Sequence, residues 1–155
     1  VAVMLAAGAV IGIVGLIYWF TNRNREAPEP EPDPPVDFAA EFVRIAGMGL
    51  LEKGETKEFY SLLADNLRRF LHIALAVETM ERTTDEIVSD LRTHPSVDPG
   101  ALRNAEDFLR AADLVKFAKY APALSNARRA PQAGVSIVSE MEAAVSPPGE
   151  AVATG

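Results

Sequence analysis

The first twenty residues, VAVMLAAGAVIGIVGLIYWF, carry no charged side chain. Read as an α-helix, they reach about 30 Å at about 1.5 Å per residue, the thickness of the hydrocarbon core of a bilayer. The run predicts one transmembrane helix over residues 1–20. A secretory signal would need a basic start and a small-residue cleavage site. This stretch instead closes on Tyr18, Trp19 and Phe20, aromatics that settle at the membrane interface. Arg23 and Arg25 follow directly, and no Lys or Arg precedes the stretch to compete with them. By the positive-inside rule, everything after them is expected on the cytoplasmic side of the cytoplasmic membrane, after a single pass.

Within the stretch, Gly8 and Gly12 form a Gly-x-x-x-Gly pair, with Gly15 three residues on and Ala7 and Ala9 beside them. Small residues on one helical face let another backbone approach closely, so Gly8, Gly12 and Gly15 are expected to form a packing face for other membrane helices. No ionisable side chain lies in the span. The span therefore offers nothing for proton relay, ion passage or axial ligation of a haem.

The next segment has a different physics. EAPEPEPDPPV, residues 26–36, holds five prolines and four acids. Proline cannot donate to a hydrogen-bond ladder, and the segment has little apolar surface to bury. Residues 21–36 are read as an acidic, Pro-rich linker of polyproline II character, a semi-rigid spacer of about 3 Å per residue.

From residue 37 to 145, stripes of period 3.6 recur and no long alternation of period two appears, so the expected class is all-α, a small bundle of about five helices. The first is predicted over about 37–51 with Phe38, Phe42, Ile45 and Gly49 inward, ending near Lys53 and Gly54. The second covers about 56–78 on Phe59, Leu63, Leu67, Phe70, Ala74 and Val77, with Asp65 and Arg69 paired one turn apart. Thr83 and Glu86 make a capping box for a short helix carrying Ile87, Val88 and Leu91, closed by His94 and Pro95. Asp98 and Pro99 suit the N-cap and first position of a fourth helix with Leu102, Ala105, Phe108 or Leu109, and Ala112 inward. Leu114 to Tyr120 reads as a short turn. A last helix over about 123–145 has Leu124, Ala127, Val135, Val138 and Met141 inward, with Pro131 and Gly134 expected to kink or interrupt it. The tail, 146–155, is expected to fray.

Composition excludes several chemistries. The chain has no cysteine, which removes thiolate nucleophiles, iron-sulfur clusters and Cys-ligated zinc together. A formal charge of -7 with 7% aromatics gives no basis for nucleic-acid binding. A helix-turn-helix over 83–112 would present Glu106, Asp107 and Asp113 beside Arg103 and Arg110, with no net attraction for phosphate. The only histidines, His72 and His94, are 22 residues apart and match no metal-binding spacing. No serine sits in a Gly-x-Ser-x-Gly turn, and no glycine-rich phosphate loop occurs. Neighbouring acids such as Asp85 with Glu86, or Glu106 with Asp107, read as a solvated, salt-bridged face with Arg103 and Arg110. No catalytic, cofactor-binding or metal-binding residue is therefore assigned.

Five segments, in order, carry a resemblance. They are Phe59-Tyr60, Leu67-Arg68-Arg69-Phe70-Leu71, Thr83-Thr84-Asp85-Glu86-Ile87, Ala112-Asp113-Leu114-Val115-Lys116-Phe117-Ala118, and then Tyr120 with Pro122. Over about 55–145 the chain resembles the C-terminal cytoplasmic domain of Bat aerotolerance-type proteins, and the related small single-pass proteins from MoxR ATPase and von Willebrand operons. The resemblance implies a membrane-tethered, non-catalytic helical module of bacterial type with no catalytic residues to carry over. The sequence departs from the pattern at Pro131 and Gly134, and in its acidic spacer.

Within the sharpest of these segments, Asp113, Lys116 and Lys119 alternate with Leu114, Phe117 and Tyr120. Phe117 and Tyr120 either close the core or, with Asp113, Lys116 and Lys119, anchor a partner. The expected role is a single-pass accessory or assembly subunit of a larger respiratory, photosynthetic or secretory membrane complex. Its partners would be other membrane subunits and the lipid bilayer. The alternative is a Bat-like adaptor for a soluble MoxR-type AAA ATPase.

Overall fold

A computed structural model describes residues 36–145. The expected transmembrane stretch, the expected linker before Val36 and the tail from Ser146 lie outside the described residues. Within them the chain is all-α: five helices, no strand. None of these helices is long and apolar enough to cross a membrane.

The first helix, α1, covers Phe38–Ala46 and starts where Asp37 accepts a hydrogen bond from the Ala40 amide at 2.8 Å. It buries Phe38, Phe42 and Ile45 as the period-3.6 stripe requires. It is shorter than the sequence implies. Two glycines in three residues, Gly47 and Gly49, raise the conformational cost of continuing. The chain instead turns through 47–54 with Gly49 and Gly54 at positive φ. Gly49 is thus a turn residue and not part of a helical inward face, while Leu50 is buried from the turn.

Helix α2, Thr56–Leu75, is the most enclosed element. It buries Phe59, Tyr60, Leu63, Ala64, Asn66, Leu67, Phe70, Leu71 and Leu75, so it meets α1, α4 (Pro99–Phe117) and α5 (Leu124–Val145) at once. It stops three residues before the expected end because Ala76 adopts the left-handed conformation and the Val77 amide returns to the Leu71 carbonyl. Val77 is buried, but from the loop and not from the helix. Asp65 and Arg69 are not among the ion pairs formed by the described residues.

The capping box opens α3, Thr84–Arg92, with both reciprocal bonds in place between Thr83 and Glu86. Asp98 caps α4 by accepting from the Gly100 and Ala101 amides, and Pro99 occupies its first turn. Both Phe108 and Leu109 face inward. The predicted turn after Asp113 is corrected here, since α4 runs on through Phe117. The periodic stripe continues to Val115, which is buried, and it is this anchoring that extends the helix.

The last helix is helical throughout, so Pro131 and Gly134 do not interrupt it. Both lie on its buried face. A Cβ placed on Gly134 would clash with the Phe42 ring, so glycine is the residue that lets α1 and α5 close on each other. Leu124, expected inward, is exposed, and Val135 is half-buried. Ile137, which the sequence reading passed over, is buried.

Two consequences are measurable. Gly134→Ala gains about 1 kcal/mol of helix propensity but forces a methyl into a Phe42 ring held in the core, at a cost of about 1–3 kcal/mol. Urea unfolding followed by circular dichroism should show a net loss of roughly 1 kcal/mol. The Glu86 carboxyl, for its part, is held below its ordinary range, first by the Thr83 amide and then by the Thr83 hydroxyl. A depressed carboxyl stabilises the fold above its unfolded pKa and loses that contribution as pH falls through the lower folded value. Stability should therefore drop on acidification from the ordinary carboxylate range downward, and Glu86→Gln should flatten that limb in unfolding measured from neutral pH to about pH 3.

Candidate functional site

A groove of about 1120 Å³ lies between the outward face of α2, the loop that follows it and the C-terminal half of α4. Its α2 wall is Asp65, Arg68, Arg69, His72 and Ile73, the polar stripe left outside when the rest of that helix is buried. Residues Thr79 to Thr84 form one end. Arg110, Asp113, Leu114, Lys116 and Phe117 form the α4 wall.

One hydrogen-bond chain fixes the walls. Arg68 donates through Nη1 to the Arg82 carbonyl at 2.8 Å and through Nη2 to Thr84 Oγ1 at 3.1 Å. The Thr84 hydroxyl then donates to Asp113 Oδ2 at 2.6 Å. Thr84 is buried, and so is Thr79, whose hydroxyl donates to the Arg68 carbonyl. Three elements distant in sequence are thus joined by charge-assisted bonds that α-helical periodicity alone does not reveal.

Four of the lining side chains are large, apolar and open to solvent. Phe117 is 76% exposed, Met80 68%, Ile73 60% and Leu114 50%. Four large apolar side chains exposed on one concavity are not the scattered singles of an ordinary surface. Lys116 Nζ stands 5.5 Å from the centroid of the Phe117 ring, within cation–π range.

The cations divide into two kinds. Arg82 is bound to Asp90 with Glu86 nearby, and Arg110 to Asp85 and Glu106, pairs that hold both guanidiniums above their ordinary range, chiefly through the hydrogen bonds to Asp90 and to Glu106 respectively. This is the salt-bridged face expected of the acid pairs. Arg103 takes no part in it. Arg69 and Lys116 form no ion pair among the described residues.

Of the five candidate anchors in the 113–120 segment, Asp113, Lys116 and Phe117 line the groove; Lys119 and Tyr120 do not. Neither Phe117 nor Tyr120 closes the core, since both are exposed. Lys119 takes a left-handed conformation and the Tyr120 amide returns to the Leu114 carbonyl, which turns the chain away after α4. Tyr120 approaches Tyr60, whose phenol is raised above its ordinary range first by burial and then by Tyr120. The membrane candidates Gly8, Gly12, Gly15, Tyr18, Trp19, Arg23 and Arg25 lie outside the described residues.

The sequence reading missed Ile73, Met80 and the Arg68–Thr84–Asp113 chain. A Leu-Arg-Arg-Phe-Leu run reveals that its arginines face out, but not which helix they face. The histidines serve the backbone. His94 accepts from the Ser96 amide through Nδ1, which leaves Nε2–H to donate to the Leu75 carbonyl at 3.0 Å at the end of α2. His72 Nδ1 lies 3.2 Å from the Val77 carbonyl. Among the described residues no group of three or more His, Asp or Glu is placed to hold a metal.

Comparison with known protein families, with curated proteins and with solved structures finds no match for the chain.

Removing the central hydroxyl tests the chain of bonds. Thr84→Val keeps the shape but strands Arg68 Nη2 and Asp113 Oδ2, both part-buried, and should cost about 1–2 kcal/mol of unfolding free energy. Thr84→Ser, which keeps the hydroxyl, should recover most of it.

Proposed function

We propose that this chain is a non-catalytic, single-pass accessory or assembly subunit of a larger membrane protein complex. Its apolar N-terminal stretch would pack on other membrane helices, and its helical domain would dock a protein on the cytoplasmic side. The observation that carries the reading is the groove, where Ile73, Met80, Leu114 and Phe117 are exposed together on one concave surface. Large apolar groups exposed together on one concave surface favour macromolecular docking over chemistry.

A second reading, an adaptor for a MoxR-type AAA ATPase, is favoured by a separate observation. Three of the segments that carry the Bat-type resemblance, at 67–71, 83–87 and 112–118, all contribute to the groove lining. On that reading, a soluble ATPase binds the domain in a nucleotide-dependent way.

Purification of the full chain from native membranes in mild detergent, followed by mass spectrometry of what elutes with it, separates the two. A fixed stoichiometric set of membrane subunits supports the assembly role; a soluble ATPase retained only in one nucleotide state supports the adaptor. A chain that elutes alone defeats both. Gly8→Leu with Gly12→Leu adds bulk without polarity. The double variant should insert normally and co-purify with less of its membrane partners.

A further inference from the structure

A second concavity, of about 500 Å³, lies between α4 and α5 and is lined as well by Tyr60 of α2. Its volume is that of a small-molecule pocket, and it shares no lining residue with the groove beside α2. The two helices meet it through small side chains, Ala111 on α4 with Ala130 and Ala133 on α5, and through the buried Phe108 and Ile137.

The polar groups of this cleft are sorted by end. Asn104, near the start of α4, donates through Nδ2 to Glu140 Oε2 at 3.2 Å, near the end of α5, so the two helices run antiparallel. With 104 level with 140, Asp107 stands level with 137, and Arg129 lies about 12 Å further along α5 at about 1.5 Å per residue. Asp107 and the Asn104 side-chain carbonyl, whose amide nitrogen Glu140 already takes, make one end a set of acceptors. Arg129 and the Asn126 amide supply donors at the other. Tyr60 belongs with them, because it approaches Tyr120 just beyond the end of α4.

These groups are not used by the fold. Asp107 and Arg129 form no ion pair among the described residues. Tyr60 is only 6% exposed, yet its hydroxyl makes no hydrogen bond among the described residues. A hydroxyl withdrawn from water and left without a partner costs free energy that a ligand oxygen would restore. Burial, and then Tyr120, hold that phenol above its ordinary range, so at neutral pH it is a donor.

We infer that the cleft between α4 and α5 binds a linear zwitterion with charges about 10–12 Å apart, its carboxylate on Arg129, Tyr60 and Asn126 and its ammonium on Asp107 and Asn104. Its apolar span lies across Ala111 and Ala133. A lone anion or a lone cation would satisfy one end and leave the other unmet. Two sources share the chemistry: an ω-amino fatty acid, and an apolar tripeptide with free termini, which spans about 10 Å when extended. The site goes beyond the docking role proposed above and stands without it.

The test uses the full chain in nanodiscs, with alanine and isoleucine methyls labelled for NMR. The probes are 8-aminooctanoate and tri-alanine, each beside its N-acetyl form, which lacks the cation, and its C-terminal amide, which lacks the anion. At least one zwitterion should shift the Ala111, Ala133 and Ile137 methyls saturably below about 10 mM, leave Ile73 in the other groove unmoved, and bind about tenfold more tightly than either of its blocked forms. The tighter zwitterion identifies the span as aliphatic or peptide. Arg129→Gln and Asp107→Asn, both at exposed positions, should each weaken it about tenfold. Tyr60→Phe should weaken it about fivefold and leave the urea midpoint unchanged, whereas a hydroxyl that served the fold would lower that midpoint.

A blocked form that binds as tightly as its zwitterion would reduce the cleft to a site for one charge and overturn the inference. So would the absence of saturable shifts at the cleft methyls with both zwitterions, shifts confined to Ile73, or a Tyr60→Phe variant that loses stability and keeps its affinity.

Discussion

The enclosure of α2 organises the rest of the domain. Its buried set spans more than a single stripe: Phe59, Leu63, Leu67 and Phe70 along one line, Tyr60, Ala64, Leu71 and Leu75 beside it. A helix apolar over so much of its circumference must be surrounded, and α1, α4 and α5 do so. What it cannot bury is Asp65, Arg68, Arg69, His72 and Ile73, and these become a wall of the groove. The groove is thus a consequence of core formation, and Ile73, apolar yet left outside, marks where the core was not closed.

Closing the core requires one close contact and one polar link. Phe42 lies against the Gly134 backbone and edge-on to Phe108, with ring centroids 5.8 Å apart, so α1, α4 and α5 meet at a single ring. Asn66, buried inside this layer, donates to the Phe38 carbonyl at 3.0 Å and ties α2 to the start of α1. Helix α3 packs on α4 alone among the helices. Its registration depends on Thr84, which receives Arg68 and donates to Asp113. A nine-residue helix packed on a single neighbouring helix is the element that local opening would release first, and Thr84 opposes that release at the groove's end.

Much of the fold was legible in the sequence because it rests on local signals. The Thr83–Glu86 box and the Asp98-Pro99 start were read correctly, since caps are decided within four residues. The ends were harder. Ala76 and Lys119 terminate α2 and α4 in left-handed conformations that glycine would have announced, and neither residue carries that mark. Pro131 pointed to a break that tertiary packing overrode, because its ring and Gly134 are both used on the buried face of α5. The site was half legible. Asp113, Lys116 and Phe117 could be singled out from their alternation, but Ile73 and Met80 look like ordinary core residues until the three-dimensional arrangement leaves them exposed.

A shallow groove with four apolar contacts and two available cations is not built for tight binding in dilute solution. Only a few side chains would be desolvated, and a docked partner would lose translational freedom and side-chain entropy. Tethering changes that arithmetic. If residues 1–20 hold the chain in a bilayer beside a partner held there too, the groove and its ligand meet at an effective concentration of about 1 mM rather than at the bulk value. An exposed Phe117 that is a weak anchor on a free domain would then suffice, and the same weakness would let a partner leave once the membrane contact was broken.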